Sequence, residues 1–139
     1  MNRYFLDTHI VAWLLDNNPK LDENLRFDIQ YPSGNQYVTS EIALLELMHI
    51  KQLGRISVAG TAIELINALE SMNVGLEFMS TEVFTVLEQI PILTINGARH
   101  TDMMDRVIIA SCIANSEVLI SHDMKFPHYR QFGLRLLEA

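Results

Sequence analysis

Five short apolar or β-branched stretches recur between helical patterns in this chain: Arg3 to Leu6, Gln36 to Thr39, Leu76 to Met79, Val118 to Ile120 and Leu134 to Leu137. This alternation constrains the fold more than any other feature. Strands separated by helices pair in parallel through crossovers, and the helices then cover the sheet. Thr8 to Leu15 reads as a helix stopped before Pro19, Asp22 to Gln30 as a second, and Tyr31-Pro-Ser-Gly-Asn35 as a turn cluster. Ser40 is placed to cap a third helix that Gly54 closes. Further helices are expected over Thr61 to Met72, from Ser80 or Thr81 to before Pro91, and from a cap at Thr101 or Asp102 to about Asn115. The pattern predicts an α/β architecture with a mainly parallel sheet. The 139 residues suit one domain spanning 1–139.

In such a sheet, ligands bind beyond the carboxyl ends of the strands, where the strand order switches. Two carboxylates stand there. Asp7 follows the first strand and Asp123 follows the fourth. Each also has a simple local reading, as a helix cap or a turn acid. Glu46 is the more telling residue. On the helix after Ser40 it falls in angle among Ile42, Ala43, Ile50 and Leu53, inside an apolar stripe. Glutamate is seldom buried without a partner or a cation. Glu41, on the opposite side with Leu44, Leu45 and Met48, has the helix dipole to explain it. Asp102 is a natural cap for the helix leading into Val107-Ile108-Ile109-Ala110, whereas Asp105 lies one turn further in.

Asp7, Glu46, Asp105 and Asp123 can thus converge from two strand ends and two helices. Two like charges ~4 Å apart repel by about 4 kcal/mol at an effective dielectric of 20. Such a group either takes up protons or holds a divalent cation. All-oxygen ligation suits Mg²⁺ or Mn²⁺ rather than zinc, and Mg²⁺ commonly bridges protein carboxylates to phosphate. Phosphodiester hydrolysis is the matching chemistry.

Phe5-Leu6-Asp7-Thr8-His9, Ser40 through Glu46, Asp102-Met103-Met104-Asp105-Arg106-Val107-Ile108-Ile109-Ala110 and Leu119-Ile120-Ser121-His122-Asp123 together resemble the successive motifs of a PIN domain. The likeness is greatest to bacterial PIN toxins of the VapC type, and it runs over essentially the whole chain. It implies a three-layer α/β/α sandwich with sheet order 3-2-1-4-5. It also implies an endoribonuclease dependent on Mg²⁺ or Mn²⁺, with Asp7, Glu46, Asp105 and Asp123 as catalytic metal ligands. Ser121 stands where the family often has Thr or Ser, there either to orient a carboxylate or simply to finish the strand, and Thr8 has the same two readings. Asp102 and Arg106 are expected in supporting positions, Arg106 on a phosphate or in an ion pair. Such toxins are typically held by a small antitoxin protein and commonly form homodimers. Two departures stand out: Met103-Met104 replaces the expected Pro-Phe, and Thr101 replaces the usual Arg.

Composition bounds the alternatives. The longest apolar run is six residues, Ile10 to Leu15, too short to span a bilayer, so no membrane association is expected. The start MNRYFLD does not read as a signal peptide, and the single Cys112 excludes an internal disulfide and suits a reducing, cytoplasmic setting. The net charge of −7 argues against broad binding of nucleic acid through a basic surface. His9, His100 and His122 lie near site acids and read either as polar loop residues at strand ends or as groups for substrate contact or proton transfer. Trp13 reads as core or interface. An aspartyl-phosphate phosphatase built on Asp7 would need an acid two residues on, where His9 stands. A PIN nuclease without a toxin role, and a non-catalytic regulator binding metal or a partner, remain as other readings.

Overall fold

The computed structural model describes residues 2–139. A parallel five-stranded sheet forms from β1 (Arg3–Leu6), β2 (Gln36–Ser40), β3 (Val74–Glu77), β6 (Val118–Ser121) and β7 (Arg135–Glu138), in the order β3-β2-β1-β6-β7. Counted within this sheet alone, that is the expected 3-2-1-4-5. Helices α1 (Thr8–Leu15), α2 (Glu23–Gln30), α3 (Glu41–Gln52), α4 (Ala62–Ser71), α5 (Glu82–Gln89) and α6 (Met103–Ala114) connect the strands.

Successive residues of each central strand point to opposite faces, and the chain uses both. Leu6, Tyr37 and Ile120 enter one core with Ile10, Leu14 and Leu47 and with Leu65 and Leu69 of α4. Phe5, Val38 and Leu119 enter a second core with Val83 of α5 and Val107, Ile108 and Ile109 of α6. A strand apolar on both faces needs cover on both, which gives the three layers. Among the described residues no helix is long and apolar enough to cross a membrane.

Ser40 and Asp102 cap α3 and α6 as expected, and two further starts are capped as well. Asp22, Ser40, Thr61 and Asp102 each accept a backbone N–H of the following first turn, and Thr61 with Glu64 forms a reciprocal capping box. Three features differ from the sequence expectations. The third strand runs over Val74–Glu77, shifted two residues back at both ends from the expected Leu76 to Met79. Gly75 within it lacks the side chain that marks a strand in sequence, and its Cα side instead faces Val38 across the ladder. A small antiparallel hairpin, β4 (Thr94–Ile95) and β5 (Ala98–Arg99), turns through Asn96-Gly97, both at positive φ. A 3₁₀ segment over Phe126–Phe132 follows β6 and buries Phe126 and Tyr129 in the second core.

The chain runs from β1 outward to β2 and β3, then returns to the other side of β1 with β6. The switch in strand order therefore lies between β1 and β6. Asp7 ends the first of these strands and Asp123 follows the second by two residues.

Candidate metal centre

Asp7 is buried at the N-cap of α1, and its two oxygens are both engaged. Oδ1 accepts the Thr8 N–H at 2.8 Å, and Oδ2 accepts the Ser121 hydroxyl at 2.6 Å. Ser121 Oγ in turn accepts the Asp123 N–H at 3.0 Å, so one hydroxyl ties both strand-end acids together. The Thr8 hydroxyl donates to Glu46, coupling α1 to α3. Thr8 and Ser121 thus each direct a hydroxyl at one of these carboxylates.

Glu46, Asp102 and Asp105 bring carboxylate oxygens within 4.8 Å of one another. Asp7 and Asp123 do not belong to that group. They line an adjoining cleft of about 210 Å³ with His9 and His122. Asp102 therefore has a larger place than its sequence context suggested. Its Oδ1 caps α6 by accepting the Asp105 N–H at 3.0 Å, and the same carboxylate faces Glu46 and Asp105. Capping alone accounts for an aspartate at a helix start, so the second role leaves no separate mark in sequence. The cap also explains why α6 starts on schedule without the Pro-Phe pair. Met103, in its place, is exposed.

Electrostatics of the group are strained in the expected sense. Burial raises the Asp7 carboxyl to about 6, against the bonds from Ser121 and Thr8. Burial, then repulsion from Asp102, Asp123, Asp7 and Glu46, raises Asp105 to about 8. Protein cations do little to relieve this: Lys125, 3.3 Å from Asp123, is the one lysine or arginine paired with these acids among the described residues.

Asp105 has a further anchor. His100 Nε2 lies 3.0 Å from Asp105 Oδ2, and His100 Nδ1 lies 2.5 Å from the Tyr129 hydroxyl. Burial lowers the His100 pKa, which favours the neutral ring. With Asp105 ionised, a neutral His100 carries its proton on Nε2, donates to Asp105, and accepts from Tyr129. The sequence pointed to His100 by proximity but not to Tyr129, which is 29 positions away and arrives through the 3₁₀ segment. Arg106 is directed elsewhere: its guanidinium is buried and donates to the carbonyls of Ile90 and Pro91 at 3.1 and 3.2 Å. It ties α6 to the loop after α5, and among the described residues it has no acidic partner, so the expected ion pair is not formed and its buried guanidinium is taken up by carbonyls.

The donor set is all oxygen, negatively charged, and drawn together at the switch point, which fits a hard divalent cation. A model of the PIN domain family matches residues 4–131, nearly the whole chain. The chain belongs to the PIN domain family. No curated protein sequence matches it significantly. Solved structures similar to it include VapBC2 from Rickettsia felis bound to a promoter DNA fragment, at 17% identity and a TM-score of 0.69, covering 98% of both chains. VapBC-1 from nontypeable Haemophilus influenzae is similar at 22% identity and 0.68, covering 98% of this chain and 97% of that one. DNA-bound VapBC from Salmonella typhimurium is similar at 18% identity and 0.64, covering 99% and 98%. These likenesses are of fold. PIN domains are nucleases, and the acidic group of this one is suited to a divalent ion.

Proposed function

We propose that residues 1–139 form a single endoribonuclease domain, dependent on Mg²⁺ or Mn²⁺, that acts as the toxin of a toxin–antitoxin pair. The observation that carries this reading is the approach of Glu46, Asp102 and Asp105 to within 4.8 Å, beside Asp7 and Asp123, at the strand-order switch of a PIN fold.

In this reading Glu46 and Asp105 hold the ion, Asp7 and Asp123 complete the acidic quartet from the adjoining cleft, and Asp102 supports from the cap. A bound divalent ion supplies Lewis acidity, activating water and offsetting charge on the phosphodiester. The chain's own residues set the geometry. Ser121 holds Asp7 and the start of the Asp123 turn in register, Thr8 holds Glu46, and the His100–Tyr129 pair holds Asp105. Second-layer bonds of this kind fix ligand orientation before the ion arrives. His9 and His122 are exposed at the cleft, where a scissile phosphate would lie.

The toxin role draws support from the VapBC complexes among similar folds. A small antitoxin would need an apolar seat, and one is present. A groove of about 250 Å³ between α3 and α4 is lined almost wholly by carbon, including Leu45, Met48, Ile66 and Phe78. Leu45 and Phe78 are among its exposed side chains. Such surface is uncommon on a protein that acts alone, and a second copy of the chain is the other occupant it suits.

The test is direct. Purified protein incubated with a panel of RNAs should cleave with Mg²⁺ or Mn²⁺ and not with EDTA, and its expression in bacteria should halt growth. Cleavage without growth arrest leaves a PIN nuclease with no toxin role. Saturable Mn²⁺ binding without cleavage of any RNA leaves a metal-binding regulator.

A further inference from the structure

A second cleft opens beside the acidic one and shares two of its walls. It measures about 440 Å³, and its lining includes His9, Trp13, Lys20, Arg55, Ser57 and His122. His9 and His122 belong to both clefts, so the second is continuous with the pocket of Asp7 and Asp123. Its charge differs from that of the rest of the molecule. The chain has ten lysines and arginines. Seven of them donate to carboxylates or carbonyls of the chain itself: Arg3, Arg26, Lys51, Arg106, Lys125, Arg130 and Arg135. Among the described residues, Lys20, Arg55 and Arg99 have no such side-chain partner. Two of these three free cations line the one groove, where Asp16 is the only carboxylate.

We infer that this groove is the path of the single-stranded RNA leading to the acidic centre, with Lys20 and Arg55 on consecutive backbone phosphates. The inference rests on the nuclease reading and deepens it. A chain of net charge −7 cannot hold RNA by general attraction, and its acidic centre repels phosphate until a cation is bound. Free basic groups are therefore most useful next to that centre, and there they stand. Sequence-tolerant single-strand grooves combine a cationic track with flat rings. Here the exposed His122 ring packs edge-on against Trp13, with centroids 5.2 Å apart, at the junction of the two clefts. It offers a stacking surface for the base beside the scissile phosphate. Lys20 and Arg55 are exposed on loops, so their replacement should leave the fold intact.

The experiment compares the full chain with the double variant Lys20→Ala/Arg55→Ala and with Arg99→Ala as the off-path control. Anisotropy of a labelled, unstructured RNA oligonucleotide in Ca²⁺ reads binding, and Mn²⁺-dependent hydrolysis of bis(p-nitrophenyl) phosphate reads the metal centre alone. We expect the double variant to bind RNA at least ~10-fold more weakly. Its slope of log affinity against log salt should fall by roughly 1.4, about 0.7 per lost phosphate contact. Hydrolysis of the small diester should stay unchanged, and Arg99→Ala should bind like wild type. Equal RNA binding by wild type and double variant, while the diester is still hydrolysed, overturns the groove and leaves the nuclease reading standing. Loss of binding to an acidic partner protein with RNA binding intact assigns the groove to that partner and overturns it as well. Absence of diester and RNA hydrolysis in the wild type strikes the nuclease reading instead.

Discussion

Two groups of carboxylates, each with a buried member, lie in this chain, and they are partnered in different ways. In one, Arg3 at the start of β1 donates to Glu77 at 2.6 Å and to Glu117, just before β6, at 2.7 Å. One resident guanidinium faces two carboxylates. Burial, and then the proximity of Glu77, raises Glu117 to about 7. Below that pH the proton on Glu117 completes the balance. In the other group, Asp7, Glu46, Asp102, Asp105 and Asp123 have hydroxyls, backbone amides and a neutral imidazole as their main partners. Those donors orient the carboxylates without cancelling their charge. The first group is closed by the protein. The second is oriented, takes up protons on Asp105 and Asp7 when no cation is bound, and fits a divalent ion.

The strongest way to break this comparison is to remove one charge from each group. Asp7→Asn or Asp105→Asn should lower metal-dependent RNA cleavage by more than ~100-fold, since even outer-layer partners of metal ligands are worth 10–100-fold. Glu117→Gln should leave cleavage within about twofold in the same assay. Equal losses would mean that the two groups serve one purpose. Removing the resident cation reverses the pattern. Arg3→Ala leaves two carboxylates facing each other and should cost roughly 1–3 kcal/mol in denaturant unfolding. The lower part of that range is favoured because the Arg3 side chain is 40% exposed. Its cleavage rate should be unchanged at temperatures well below unfolding.

Tyr129→Phe probes the support of the open group. It removes the hydroxyl from His100 without touching a carboxylate. Mn²⁺ affinity should fall about 10-fold while the folded structure is kept. Unaltered affinity would reduce the Tyr129–His100–Asp105 chain to packing.

The smallest effect separates the groups by pH. Asp7, Asp105 and Glu117 all have folded-state pKa values raised above their ordinary ones, to about 6, 8 and 7. Each therefore contributes stability that is complete below about pH 4 and lost as pH rises through its folded value. Metal-free protein should melt lower at pH 8 than at pH 5, by several degrees. Glu117→Gln should remove the part of that slope that lies between about pH 4.5 and pH 7. Saturating Mn²⁺ should remove the part belonging to Asp7 and Asp105. Thermal melts across this range check both.

Much of this arrangement was legible from the residues alone, and the reasons are local. Asp7 and Asp123 stand at strand ends, and strand ends follow from short apolar runs between helices. Glu46 was marked by charge within an apolar stripe, and it lies half-buried on α3. What stayed hidden depended on contacts between distant segments or on one residue doing two things. Asp102 satisfies every local requirement as a cap, so nothing in its neighbourhood shows that it also faces Glu46. Tyr129 reaches His100 because the 3₁₀ segment carries it into the second core. Arg106 stands beside Asp105 in sequence, yet its guanidinium turns to Ile90 and Pro91. The hairpin did have a signal, Asn96-Gly97, but its two-residue strands are too short to show alternation.

The central claim, that one carboxylate group is closed by Arg3 and the other is open to a divalent ion, is tested most directly by Mn²⁺ binding. Electron paramagnetic resonance of free Mn²⁺ can be followed during titration of wild type, Asp105→Asn and Glu117→Gln near neutral pH. The account predicts saturable binding by wild type, equal binding by Glu117→Gln, and its loss in Asp105→Asn. Saturable binding that survives in Asp105→Asn but disappears in Glu117→Gln, or no binding by the wild type, would contradict it.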